Sequence, residues 1–395
     1  MMSNKKSVYA VAELPQVKWA VTFAFLSLFV LGLADNIRGP LFPEILSGFG
    51  LSSSKGALSF ATTSTAALIA SMLSAYYLKK WTISSLHILS MLIMSIGLLV
   101  MGTVPTFQLF LIGSFILGLS IGFMGVSQNL LVSENVSGEA RSKALSGLHA
   151  MYGFASFLAP LLASSTTLNY QTWRAAFVIV SVICAVFFLI QLLVHPQPGF
   201  HVQKHEIGTQ TTNLQKISKI SLLMMGGLFG FYVVAEILVS TRLAQYMRTY
   251  FEMDLEKSSQ YVTLFFLFLL IGRVIFALKK IPLTLKLQMN LSLIGSVVLL
   301  LIGLKFHPFF LALVGLTMAP FYPLSVAYIS HQTGDRSRAF ITFAMSFQSL
   351  AVISMHLGVG YLTDTLGLFY AFGVGVVALA VSLVCLNFHP KVFKE

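Results

Sequence analysis

Ionisable residues stand inside stretches that are mostly apolar, foremost Asp35 and Arg38 in Leu-Ala-Asp-Asn-Ile-Arg-Gly-Pro, and Glu236 in Phe-Tyr-Val-Val-Ala-Glu-Ile-Leu. A spacing of three puts Asp35 and Arg38 on one helix face, where carboxylate and guanidinium can pair. Gly39, Pro40 and Pro43 weaken the helix just beyond, and a broken helix beside a charge frees backbone groups to bind a solute. Glu236 lies about as deep in its stretch as Asp35 does, and a carboxyl group held away from water is suited to take up and release a proton. Arg242, one to two turns on, is the alternative partner that would make Glu236 purely structural. Arg273, in Leu-Ile-Gly-Arg-Val-Ile, sits near the end of its stretch and reads as a gating or loop-anchoring residue.

A second set is polar without fixed charge. Asn36 adjoins Asp35, Gln128 and Asn129 are neighbours, His149 and Tyr152 recur at helical spacing, Tyr232 lies one turn before Glu236, and Gln348 and His356 share a later stretch. In a helix bundle such groups line a polar cavity or bond between helices. No histidine pair with a nearby carboxylate has metal-ligand spacing. The parts of an enzyme are missing too: no phosphate-cradling glycine loop with its lysine, no zinc helix motif and no nucleophile elbow. Neither a metal nor another cofactor is expected.

These residues need helices in lipid to hold them. The chain of 395 residues is 56% hydrophobic and only 10% charged, whereas soluble domains carry about 25% charged residues. Its outer surface must therefore meet hydrocarbon. A spanning helix takes about 20 mostly apolar residues, and six such stretches precede residue 195: 19–43, 56–78, two within 81–133 divided near Pro105, 144–173 and 175–194. A polar linker follows at 195–218, and then six more stretches at 220–250, 258–278, 283–304, 308–330, 339–363 and 366–388. The expected domains are thus an N-terminal bundle over 1–194, a cytoplasmic linker over 195–218 and a C-terminal bundle over 219–395.

The net charge of +12 sits in short segments between apolar stretches, a membrane-orientation pattern rather than a nucleic-acid surface. If both termini are cytoplasmic, the inner segments hold most of the lysines and arginines, among them Lys79, Lys80, Arg141, Lys143 and Arg336. The expected location is the cytoplasmic (inner) membrane. Residues 1–18 lack the short apolar core of a cleaved signal peptide, and Cys184 and Cys385 read as packing residues. The halves also repeat: an apolar stretch closing in Gly-Glu-Ala-Arg-Ser-Lys-Ala at 138–144 matches one closing in Gly-Asp-Arg-Ser-Arg-Ala at 334–339. Duplication of a six-helix unit accounts for that correspondence.

This plan resembles the major facilitator superfamily over essentially the whole chain. Within it, Asn129 with the 138–144 segment, Leu-His-Ala-Met-Tyr-Gly at 148–153, Tyr-Val-Val-Ala-Glu at 232–236, and Tyr261 through Arg273 are similar to the fucose–galactose–glucose branch of proton symporters. The resemblance implies twelve transmembrane helices in two pseudo-symmetric six-helix bundles, with Glu236, Asn129 and His149 facing a substrate cavity. Departures are visible: the loop at 74–81 lacks the superfamily's acidic member, and no glutamate lies between Pro105 and Ser133. With no ATP-binding module or sodium motif in these residues, the expected activity is proton-coupled, secondary active transport (symport) of a small polar, sugar-like solute by a monomer. The alternatives are a proton-driven exporter of amphipathic or drug-like compounds and a membrane receptor that moves nothing.

Overall fold

The computed structural model describes residues 15–136, 138–194, 218–279 and 281–388. The 195–217 part of the expected linker lies outside the described residues, as do the lysines near both termini. Among the described residues regular structure is helical throughout, as lipid demands of backbone groups with no water to bond.

The helices are α1 (Pro15–Asn36), α2 (Phe42–Phe49), α3 (Ser53–Tyr77), α4 (Ile83–Thr103), α5 (Phe107–Asn135), α6 (Gly138–Tyr170) and α7 (Arg174–Val194). They continue with α8 (Lys219–Phe251), α9 (Leu255–Leu278), α10 (Leu285–Lys305), α11 (Phe309–Met318), α12 (Phe321–Thr333), α13 (Ser337–Leu366) and α14 (Leu368–Phe388). Twelve spans long and apolar enough to cross a membrane result, with α11 and α12 together forming the tenth. One buried core gathers residues from Ala24 to Cys184, joined by Leu255, and another runs from Met225 to Leu386.

Local chemistry sets the helix starts. Ser52, Thr82, Thr106, Asp254 and Thr284 each accept a bond from the amide three residues on, satisfying a donor that the first turn leaves free. Three boundaries differ from the sequence reading. The first span does not run on to residue 43: α1 ends at Asn36, and α2 begins only after Pro40. The tenth span breaks at Ala319 and Pro320, because Pro320 and Pro323 each remove an amide donor from the ladder. The segment from Gly138, expected as a loop, is already the first turn of α6.

Close approach packs the helices. A Cβ on Gly118 or Gly122 would collide with the Thr63 or Ala67 carbonyl of α3, so this small-xxx-small pair lets α5 lie directly on that backbone. Polar bonds tie other helices, as where Ser95 and Ser181 each donate to the other's carbonyl, at 2.9 and 2.7 Å, between α4 and α7.

Candidate functional site

Asp35 occupies the last turn of α1, where the proline-rich turn after Asn36 stops the helix and leaves Arg38 just outside it. The expected pair forms. One Asp35 oxygen takes the Arg38 guanidinium, and the other accepts the Tyr152 hydroxyl of α6 at 2.7 Å. Arg38 also donates from Nη1 to Thr63 Oγ1 on α3 at 3.0 Å and from Nε to the Asp35 carbonyl at 3.2 Å. The Asn36 amide lies 3.2 Å from the Tyr152 hydroxyl and 3.0 Å from Ser156 Oγ, which fixes the α1–α6 register. The Arg38 side chain is 9% exposed and that of Asp35 26%. The carboxylate is the accessible member of the pair.

Glu236, midway along α8, does not pair with Arg242. Its Oε1 accepts from Arg273 of α9 at 3.3 Å, and its Oε2 meets the Tyr232 hydroxyl at 2.6 Å. Arg273, expected as a gate or anchor, therefore belongs to the Glu236 group. Each carboxylate thus gives one oxygen to a guanidinium and the other to a tyrosine hydroxyl, once in each half of the chain. Glu236 is 16% exposed and Arg273 31%. A pair open to hydrocarbon would cost several kcal/mol, so a pair at this depth is expected to face away from lipid.

The Tyr232 hydroxyl has two neighbours that can only accept while Glu236 is ionised. The second is the Met318 carbonyl at 2.7 Å, at the α11 end where the tenth span breaks. One hydroxyl proton cannot serve both. With a proton on Glu236, the carboxyl donates to Tyr232 and Tyr232 donates to Met318, and both contacts become full bonds. Protonation would thereby pass from α8 to the broken tenth span.

The other expected cavity residues divide. Gln128 is buried and donates to Ser27 Oγ of α1 at 3.2 Å, so it ties helices together and does not line a cavity. The Asn129 amide turns back to the Gly125 carbonyl at 2.7 Å. Gln348 is half-buried, and His149 is exposed. His356 is buried and stacks on Phe60 with ring centroids 5.0 Å apart. No group of three or more His, Cys, Asp or Glu side chains able to hold a metal occurs among the described residues. Sequence reasoning missed the Arg273–Glu236 and Tyr152–Asp35 contacts, which join different helices and carry no spacing signal. It also missed His87, buried in α4 with Nδ1 3.2 Å from Ser127 Oγ.

A third set of contacts closes one end of the bundle, where α1, α8 and α13 finish and α3 begins. Arg248 of α8 pairs with Glu44 of α2, and Gln245 Nε2 donates to Ser53 Oγ at 2.9 Å. Asp364 of α13 accepts the Ser53 and Ser54 amides at 2.9 and 2.8 Å, capping α3 from the opposite half. Gly39 completes the closure, since a Cβ there would stand 2.7 Å from the Ser240 carbonyl and 3.2 Å from the Thr241 Cα. Those are backbone atoms that cannot swing aside. Gly39→Ala is therefore expected to prise this end apart and raise the labelling of a cysteine at position 53 by a membrane-impermeant maleimide several-fold, in a background without Cys184 and Cys385. Unchanged labelling would show that the turn yields without parting the halves.

Comparison with known proteins agrees with this architecture. The sequence profile of the Major Facilitator Superfamily matches residues 24–304. Two curated relatives are fungal: Efflux pump DEP3 of Fusarium langsethiae is 27% identical over 186 residues, which is 45% of this chain and 32% of that protein. Efflux pump hmp6 of Hypomyces subiculosus is 29% identical over 163 residues, 40% of this chain and 28% of that protein. The matches thus span about a third or less of those relatives' length. Among solved structures, a D-xylose–proton symporter superposes with a TM-score of 0.75 at 16% identity, covering 95% of this chain and 98% of its own. A bacterial homologue of the human lysosomal transporter Spinster gives 0.73 at 12% identity, covering 96% and 98%. The transporter FucP in its outward conformation gives 0.64 at 16%, covering 96% and 100%. With twelve membrane spans in the major facilitator fold and a family profile over most of its length, the chain belongs to the major facilitator superfamily.

Proposed function

We propose that this protein is a proton-coupled secondary transporter that moves a small polar solute across the cytoplasmic membrane by alternating access. The 1–194 and 219–395 units are the two bodies that rock, both termini face the cytoplasm, and the contacts around Gly39 form the outer gate. The observation that carries the reading is the pair of carboxylate–guanidinium–tyrosine groups, one per half, set within or at the end of membrane spans and only partly buried. Ionisable groups at that depth mark solute and ion paths. Protonation of Glu236 neutralises it, loosens Arg273 and completes the Tyr232–Met318 link, so one facing becomes favoured over the other. Asn36, Asn129, His149, Gln348 and Arg273 supply polar contacts along the path.

The names of the structural neighbours, a D-xylose–proton symporter among them, support inward symport of a sugar-like solute. The names of the curated relatives support a second reading, export of an amphipathic compound. Direction separates them. In proteoliposomes with an inward proton gradient a symporter accumulates its solute, whereas an exporter working by proton exchange loses it. Candidate solutes come from a thermal-shift screen of sugars, organic acids and hydrophobic cations, because a ligand that binds the folded state raises its melting temperature. If every ligand found that way failed to exchange across the membrane, the protein would be a receptor instead.

A further inference from the structure

Arg242 is among the largest fully buried side chains of the described residues, and its Nε, Nη1 and Nη2 all lack a hydrogen-bond partner. No carboxylate of the described residues comes within ion-pair distance of it. Its guanidinium lies against aromatic faces from the other half of the chain, 3.9 Å from the Phe42 ring centroid and 5.2 Å from that of Phe60. Arg38 meets the same Phe60 ring at 5.0 Å, and His356 stacks on it with Nδ1 unpartnered. Phe60 thus gathers Arg38, Arg242 and His356 into one cluster.

The charges at this end do not balance at Arg242. Asp35 neutralises Arg38, and Glu44 neutralises Arg248. Asp364 lies beyond ion-pair distance of Arg242, and its oxygens are engaged by the Ser53 and Ser54 amides. Cation–π contact offsets part of the loss of hydration, but a buried guanidinium without hydrogen bonds leaves its planar fork of donors unused. That fork matches the two oxygens of a carboxylate. Apolar rings on either side suit an organic rather than an inorganic anion.

We infer that the transported solute carries a carboxylate, and that Arg242 is its receptor, assisted by His356. This rests on the transporter reading and narrows its small polar solute to an organic monoanion. In the closed arrangement Phe42 and Phe60 cover Arg242; parting of the halves at this end uncovers it. A carboxylate bound there removes the uncompensated charge and favours closure over the loaded site.

The test uses purified full-length protein in detergent, with melting temperature as the readout and acetate, benzoate, inorganic phosphate and glucose as probes at constant ionic strength. Benzoate and acetate should stabilise the wild type saturably, benzoate more, with phosphate and glucose without effect. Arg242→Lys keeps the charge but not the fork and should weaken benzoate about 10- to 100-fold. Arg242→Met should raise the melting temperature without ligand and abolish the benzoate response, whereas an arginine serving only as a structural post would lower it. Stabilisation by phosphate alone, by glucose alone, or by carboxylates equally in Arg242→Met overturns the proposal. In proteoliposomes, proton-driven uptake of glucose without any benzoate exchange would sink the carboxylate assignment and leave the transporter reading standing. Absence of exchange for any ligand that stabilises the protein would strike the transporter reading itself.

Discussion

Glu236→Gln is expected to abolish uphill accumulation of solute while solute–solute exchange continues. The amide has the shape of a protonated carboxyl and can donate to Tyr232 as that carboxyl would, so the Tyr232–Met318 bond at 2.7 Å stays formed. What the variant lacks is a group that releases the proton. A gradient of one pH unit supplies about 1.4 kcal/mol per proton and so about a tenfold accumulation at one proton per solute. The wild type should reach that ratio, and Glu236→Gln should stop near equality on the two sides. Counterflow, which needs rocking but no net proton movement, should fall little. Tenfold accumulation by the variant would remove Glu236 from the coupling.

The second large effect concerns Asp35 and Arg38. Asp35→Asn leaves a guanidinium whose side chain is 9% exposed without its counter-charge, held by Thr63, the backbone carbonyl of position 35 and the Phe60 ring. Breaking one partner out of a buried pair costs about 3 kcal/mol, because the remaining charge stays desolvated. Arg38→Gln strands a carboxylate that still has Tyr152 and is 26% exposed, so its cost is smaller. The double variant should recover most of the loss, leaving a coupling energy of roughly 1–3 kcal/mol between the sites. Unfolding of purified protein by denaturant measures all three, and additive losses would mean that the pair contributes nothing as a pair. Transport should remain impaired in the double variant even where stability returns, since the accessible carboxylate is gone.

Much of the architecture was legible because lipid imposes a simple rule. Each span needs about 20 mostly apolar residues, so twelve spans could be counted from stretches poor in charge. Asp35 and Arg38 were legible as a pair because they stand only three residues apart, at the end of one helix and just beyond it. Contacts between helices were not. For Glu236 the sequence offered Arg242 as a partner, yet Arg242 is turned instead into the rings of Phe42 and Phe60. Arg273 is 37 residues from Glu236 and reaches it only because α8 and α9 lie side by side. Gln128 reads as cavity-lining by composition, and the rotation of α5 decided otherwise by aiming it at Ser27. Apolarity around most of each helix left no polar face to orient them, so the direction of a polar side chain was hidden. The Met318 carbonyl was likewise invisible, since it becomes an acceptor for Tyr232 only where Pro320 and Pro323 break the tenth span.

In the mechanism we propose, Glu236 takes up and releases a proton within the bundle. Infrared spectra of the purified protein in lipid, recorded across a pH titration, test it with no solute in hand. A carboxylic-acid carbonyl band should grow as pH falls, be missing from Glu236→Gln, and move in frequency in Tyr232→Phe, where its hydrogen-bond partner is removed. A band of the same size and position in Glu236→Gln, or none at any pH at which the protein stays folded, would contradict the account.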